Sequence, residues 1–508
     1  MLKFKRAYFP PLLIYTSAGI SGLTSIVGIF FLKDYLNLSA SFIASIGFWA
    51  GIPWALKMPV GFLIDRYWSK KYLFIYFGAL LISLSLLIMY NILANREYME
   101  LYFSITTWFI FSSILTPIGY VLQDVVADAM TVEVVEPDFR KNKKNLHNPS
   151  IKAEHTMVQL YGRFAIILGS LLVGIINLYV FNNISQQIND LYKAYANIYL
   201  MALIIPIISI SGGLLAKREK KGSIEKYPIS KLDYQIFFGS CFFVFFAILL
   251  GTLNFSYSRE IVLVTSLVLI SIIIKLLMKE LSKDQKYTII GTAIIIFVYR
   301  SMPGPGAGLN WFEIDILGFN QSFFALLSII SATITLIGIL IFKNFMIKTS
   351  LARLFTILSI ISAVLYLPSI LMYYGIHEIT SVLTNGMVDA QFIAILNTAA
   401  ESPLSQIAMI PLLAWIAKNA PIKYKATFFA VFASFTNLAL SAKELLTSYL
   451  NNIFVIKREI KDVKLENVLE KADYNNLDNL LISILLITLL VPLATILIIQ
   501  KSKFKSKD

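Results

Sequence analysis

Asp124, Asp128 and Glu133 stand at the end of a long apolar stretch, in QDVVADAMTVEVVE, which runs from Gln123 to Glu136. On a helix, residues four apart share one face, so the Asp124 and Asp128 side chains are neighbours while Glu133 points elsewhere. Two carboxylates this close raise each other's affinity for a proton, so a nearby cation or a shared proton is expected. Four further sites carry chemistry of the same kind. Lys57 stands in the apolar run PWALKMP, and Arg163 lies within QLYGRFAIILGS. Arg300 precedes the Pro- and Gly-interrupted segment SMPGPGAGLNWFEID, which ends with Trp311, Phe312, Glu313 and Asp315. Asp389, Gln391, Asn397, Glu401, Ser402 and Gln406 crowd a single apolar stretch that also holds Pro403. Ionisable side chains inside apolar segments of this length are costly and serve ion or solute pathways.

The segments that hold them are membrane spans. The chain has 508 residues, 57% of them apolar and 15% charged, and apolar runs of about twenty residues recur from end to end. Fourteen spans fit, at about 11–32, 41–63, 72–94, 102–129, 157–181, 195–216, 235–256, 260–279, 287–302, 321–342, 351–373, 388–417, 426–450 and 479–500. The N-terminal MLKFKR and its apolar run read as an uncleaved first span, because that run exceeds the apolar core of a signal peptide and no A-x-A site follows. With the N-terminus inside, about thirty of the 44 basic residues fall on the cytoplasmic side. Both termini are then cytoplasmic. The net charge of +14 thus marks loops facing anionic lipid, and nucleic acid is excluded as a partner.

The expected fold is an all-α polytopic membrane protein with two six-helix bundles and two extra helices. Its parts are 1–216, an N-terminal bundle; 217–286, a basic linker with two extra spans; and 287–508, a C-terminal bundle with a basic tail. Spans 7 and 8 carry little polarity beyond Asn254 and Lys275, so they belong on the periphery against lipid. Arg163 sits about 9 Å up its helix at 1.5 Å per residue, level with Asp124, and is the expected partner of the aspartate pair.

The QD-x-x-x-DA stretch resembles the fourth-helix signature of the folate–biopterin transporters, a branch of the major facilitator superfamily. The muropeptide permeases carry a similar pattern. GFLIDRYWSKK, with Gly61, Asp65 and Arg66, resembles the superfamily's cytoplasmic loop motif, although Trp68 or Ser69 replaces its second glycine. The Pro-rich segment after Arg300 and its L-G-F continuation resemble the folate–biopterin family and not the permeases. This likeness implies the major facilitator fold, with spans 1, 4, 9 and 12 lining a central cavity. It also implies a secondary transporter that moves a folate- or pterin-like solute by alternating access, coupled to protons. Arg300, Trp311, Lys57, Tyr120, Glu401 and Gln406 are the expected solute contacts. Asp124, Asp128, Glu133, Arg163, Asp389, Asp65 and Arg66 are the expected coupling or gating groups. A monomer in a plasma (bacterial inner) membrane is expected. A permease-like carrier and a transport-inactive sensor remain open as alternatives.

Enzyme readings lack support. The three histidines, His147, His155 and His377, fall in expected loops, and no H-E-x-x-H, G-x-S-x-G, P-loop or Cys/His metal cluster is present. No cofactor is expected. The single cysteine, Cys241, cannot form an internal disulfide.

Overall fold

Backbone amides in hydrocarbon must be satisfied within their own segment, and the apolar runs of this chain accordingly form helices. The computed structural model describes residues 5–34, 36, 38–55, 57–135, 149–183, 188–218, 234, 238–239, 241–242, 245–246, 249–250, 255–279, 281–419, 425–461 and 468–506.

The helices are α1 (Phe9–Ile20), α2 (Ser25–Asp34), α3 (Ala40–Ala55), α4 (Lys57–Arg66), α5 (Lys71–Ala94), α6 (Arg96–Glu100), α7 (Ile105–Val135), α8 (Pro149–Asn182), α9 (Ile188–Met201) and α10 (Ile204–Arg218). They continue with α11 (Ser258–Leu277), α12 (Lys283–Arg300), α13 (Ala307–Asp315), α14 (Gln321–Ile341), α15 (Lys343–Lys348), α16 (Leu351–Val364) and α17 (Leu367–Tyr373). The last are α18 (Ile376–Leu383), α19 (Ala390–Glu401), α20 (Leu404–Asn419), α21 (Lys425–Ile453) and α22 (Leu477–Lys501).

Among the described residues, nine helices are long and apolar enough to cross a membrane. They correspond to the expected spans 1, 3, 4, 5, 6, 8, 10, 11 and 14. Four more expected spans are helical but shorter, more polar or interrupted. Span 2 is divided between α3 and α4, and span 12 between α19 and α20, where Pro403 separates the helices. The ninth span is α12, which opens on Lys283 and ends on Arg300. The thirteenth is α21, where Lys443 and Glu444 lower the hydropathy. The seventh lies largely outside the described residues.

The chain divides into two compact units. One comprises residues 1–28 and 56–242, the other 29–55 and 243–508. Residues 29–55 therefore group with the C-terminal helices, although they were expected with the N-terminal bundle.

In the first unit α1 packs on α8, α10 and α7, and α5 packs on α7, α9 and α10. Two crossings bring backbones into contact. A Cβ on Gly19 would stand 2.2 Å from the Ile166 carbonyl oxygen, and one on Gly78 would stand 2.6 Å from the Gly119 carbonyl oxygen. Small residues at such crossings are how membrane helices gain close packing without a hydrophobic drive.

In the second unit α3 and α11 pack on α21, and α16 and α12 pack on α22. Val264, Val268, Ile272 and Leu276 form an exposed stripe along α11 at a spacing of four, which agrees with the peripheral place expected for span 8. Arg259, near the start of α11, donates to Ser45 of α3 and to Ser448 of α21. The all-α expectation misses one feature: β1 (Ile460–Lys461) and β2 (Val468–Glu470) pair antiparallel inside the long 451–476 connection.

Candidate functional site

α7 carries the N-terminal unit's charge, and its neighbours determine how each side chain is used. Lys57, at the start of α4, forms an ion pair with Asp124. The Tyr15 hydroxyl of α1 donates to Asp128 Oδ1 at 2.7 Å. Lys71, at the start of α5, pairs with Glu133. The three carboxylates of α7 thus reach toward three different helices, as their spacing of four and then five dictates. Arg163 takes no ion pair among the described residues, and its charge acts on Asp128 and Lys57 from a distance. This corrects the partner expected for Asp124: Lys57 lies on α4, which packs on α7, and takes the place assigned to Arg163.

Gln123, the first residue of the QD pattern, is almost wholly buried. Its side-chain amide donates to the Ile75 carbonyl at 3.1 Å and to Ser209 Oγ at 2.9 Å, tying α7 to α5 and α10. Tyr15 was not singled out in the sequence. It packs against Gly162, where a Cβ would stand 2.8 Å from the ring, so the glycine one residue before Arg163 makes room for the phenol that holds Asp128. Tyr120 is partly buried on α7, about a turn before Asp124. The side chains of Asp65 and Arg66, at the end of α4, lie outside the described residues.

The C-terminal unit holds a second group. Arg300 ends α12, and its Nε donates to the Thr436 carbonyl at 3.1 Å. The Pro303–Pro305 segment that follows is fastened to α21. The Gly304 amide donates to Thr447 Oγ1 at 3.0 Å, and Gly306 adopts φ +68°, which a side chain would strain. The Lys443 side chain passes within 3.5 Å of the Cβ position of Gly304.

The charge of Glu401 acts on Glu313, and Lys443 acts on Glu401. Neither glutamate has an ion-pair partner among the described residues. Buried oxygens of Asn397 and Gln406 likewise have no hydrogen-bond partner there. Asn397 and Glu401 are four apart on α19 and share a face.

Two expectations change here. Asp389 is the N-cap of α19: its Oδ1 accepts from the Phe392 amide at 2.8 Å, a local structural duty. Trp311, expected to stack on a solute, is 2% exposed and lies under the Arg458 guanidinium, 5.2 Å from the ring centroid. Its face is taken by the protein.

Sequence reading also missed Lys33, Arg458 and Tyr474. Lys33 Nζ pairs with Asp315 at 2.6 Å, both side chains less than a tenth exposed. The Tyr474 hydroxyl donates to the other Asp315 oxygen at 2.6 Å. Burial first, and then that hydrogen bond, push the Tyr474 hydroxyl above its usual titration range, so it stays a donor at physiological pH. The only signal in the sequence was the concentration of charge in 451–476.

The profile of the BT1 family matches residues 18–508. No curated protein matches the chain in sequence. Among solved structures, a POT family transporter in complex with 5-aminolevulinic acid is similar, with a TM-score of 0.65 and 16% identity over 98% of this chain and 96% of that one. A POT family transporter in complex with a thioalcohol-conjugated peptide has a TM-score of 0.64, with 16% identity over 97% and 96% of the two chains. The nucleoside transporter NupG has a TM-score of 0.57, with 10% identity over 98% and 100%. These likenesses show that the chain shares the fold of these structures.

Proposed function

The chain belongs to the BT1 family and is an integral membrane transporter, and on that premise we propose that it moves a folate- or pterin-like solute by alternating access, driven by a proton gradient. The observation that carries the reading is the state of the polar groups along the helices expected to line the cavity. On α7 they are held by protein partners; among the described residues, the buried side-chain oxygens of Asn397 on α19 and Gln406 on α20 have no hydrogen-bond partner, and Glu313 and Glu401 have no ion-pair partner. Polar groups at membrane depth that lack protein partners are met by water or by a solute.

The division suggests a division of labour. Glu401, Gln406, Asn397 and Glu313 offer acceptors to the donor-rich edge of an aminopyrimidinone ring, and Arg300 and Lys443 offer charge to an anionic tail. Lys57 and Tyr120 are further solute contacts in this reading. Asp124 and Asp128, with Lys57, Tyr15 and Arg163 around them, are the proton-responsive group, and Glu133, Asp65 and Arg66 serve the inner gate. The cytoplasmic placement of both termini, the two-bundle division at 1–216 and 287–508, a monomeric state and residence in a plasma membrane belong to the same proposal.

The solved relatives supply a measured rival, since one of them is described with a conjugated peptide. Cells expressing the protein should accumulate labelled folate or biopterin. Accumulation of labelled muropeptide with neither of those would establish the permease reading instead, and failure to move any of them under any gradient would leave a sensor.

A further inference from the structure

We propose that two stretches of the connection between α21 and α22, residues 455–461 and 468–474, form a reversible latch that pins the end of α2, Leu36 and Leu38 to α13. The inference rests on the alternating-access reading, because a latch has a purpose only in a protein whose helices must part.

Three segments distant in sequence meet here through buried polar bonds. Arg458 is 5% exposed, and its guanidinium donates to the carbonyls of Leu32 at 3.3 Å, Leu36 at 2.5 Å and Leu38 at 2.9 Å. The other side of the same guanidinium lies on the Trp311 ring of α13. Asp315, at the end of α13, accepts from Lys33 of α2, from the Tyr474 hydroxyl and from the Glu459 amide at 3.2 Å. The strap is itself closed into a hairpin, with the Lys457 and Asp473 amides exchanging bonds at 3.0 and 2.8 Å below the β1–β2 pair. Ile456 then packs over Gly308, where a Cβ would stand 2.8 Å from its Cδ1.

The choice of bonds suits something that opens. A purely apolar seam loses its whole hydrophobic stabilisation on parting. An ion pair and a fork of charge-assisted hydrogen bonds recover hydration when both partners separate into water, so closed and open forms differ less in free energy. Position agrees. Asp315 and Trp311 follow directly on the Pro303–Gly306 break, so a shift of that irregular segment moves the acceptor and the stacking ring together. Ala40, 3% exposed in the same core with Trp311, Ile456 and Tyr474, is the reporter buried by the closed strap.

The test is the rate at which N-ethylmaleimide modifies a cysteine at that reporter, which requires neither a known solute nor a known membrane orientation. In a Cys241→Ser background carrying Ala40→Cys, Arg458→Lys keeps the charge and loses the fork, and Asp315→Asn removes the Lys33 and Tyr474 anchor. Each should raise the rate about tenfold. A cysteine at the equally buried Ala79 of the other unit should be unaffected. A disulfide between Gly308→Cys and Ile456→Cys, whose Cβ positions are 3.4 Å apart, should slow modification of the reporter until it is reduced with dithiothreitol and the reductant removed before labelling. Unchanged reporter rates in both latch variants would overturn the proposal. So would Ala79→Cys rising in step with the reporter, which would mean general loosening. Failure of solute uptake with the labelling pattern intact would count against the transport reading and leave the latch standing.

Discussion

Asp124 and Asp128 differ in what neutralises them, and that difference predicts different consequences of mutation. Lys57→Met leaves Asp124 without its cation. Breaking one side of a buried pair costs roughly 3–5 kcal/mol, and about 2–3 is expected here because Asp124 keeps some exposure. The double variant Lys57→Met with Asp124→Asn should recover most of that loss in thermal unfolding, since neither charge is stranded. Recovery of stability without recovery of uptake would assign the pair a transport role beyond packing. Tyr15→Phe removes one hydrogen bond to a carboxylate and should cost about 1.5–3 kcal/mol of its stabilisation. The loss frees the Asp128 carboxylate from α1, so the pH dependence of uptake should differ from wild type in this variant. An unchanged profile would sink the link between Tyr15 and Asp128. The sequence revealed the shared face of the two aspartates because spacing alone dictates it. It did not reveal their partners, because Lys57 and Tyr15 lie 67 and 113 residues away and only tertiary packing brings them in.

At the scale of elements, periodicity and hydropathy made most helices legible, and the misses have identifiable physical causes. Span 12 reads as one apolar stretch, yet Pro403 cannot supply an amide to a continuous helix, and α19 ends just before it. Asp389 reads as an intramembrane acid, but an Asp immediately before a helix is also the ordinary N-cap, and that use prevails. The small strand pair in 451–476 escaped because alternating charges hide a hairpin that is secured by distant groups. The helix crossings make a direct prediction. Gly19→Val places side-chain atoms where the Ile166 carbonyl of α8 already stands, so α1 and α8 must separate. The variant should lower the unfolding temperature in detergent by several degrees or fail to accumulate. Gly28→Val, which meets nothing within 4 Å, should behave as wild type. Equal tolerance of both would contradict the close crossing.

For the whole molecule, the alternation of basic loops predicts an orientation that chemical labelling can read. In a Cys241→Ser background, cysteines at Ser69, Ser223 and Ser502 should react with an impermeant maleimide only from the cytoplasmic side, and one at Ser185 only from outside. Reaction of the Ser502 position from outside would break the even number of spans. The family and the fold were legible because the motif-bearing stretches are spread over most of the chain. The solute was not, because a carboxylate-and-amide group fits several donor-rich ligands.

The central claim is that the α7 aspartates couple protons to solute movement. Uptake of labelled folate or biopterin into proteoliposomes under an imposed inward proton gradient, compared between wild type and Asp128→Asn, tests it most directly. Wild type should accumulate the solute above its outside concentration. The variant should lose accumulation while still exchanging labelled for unlabelled solute, because binding and alternation survive and only the proton step is gone. Gradient-driven accumulation by Asp128→Asn at the wild-type level would contradict the account.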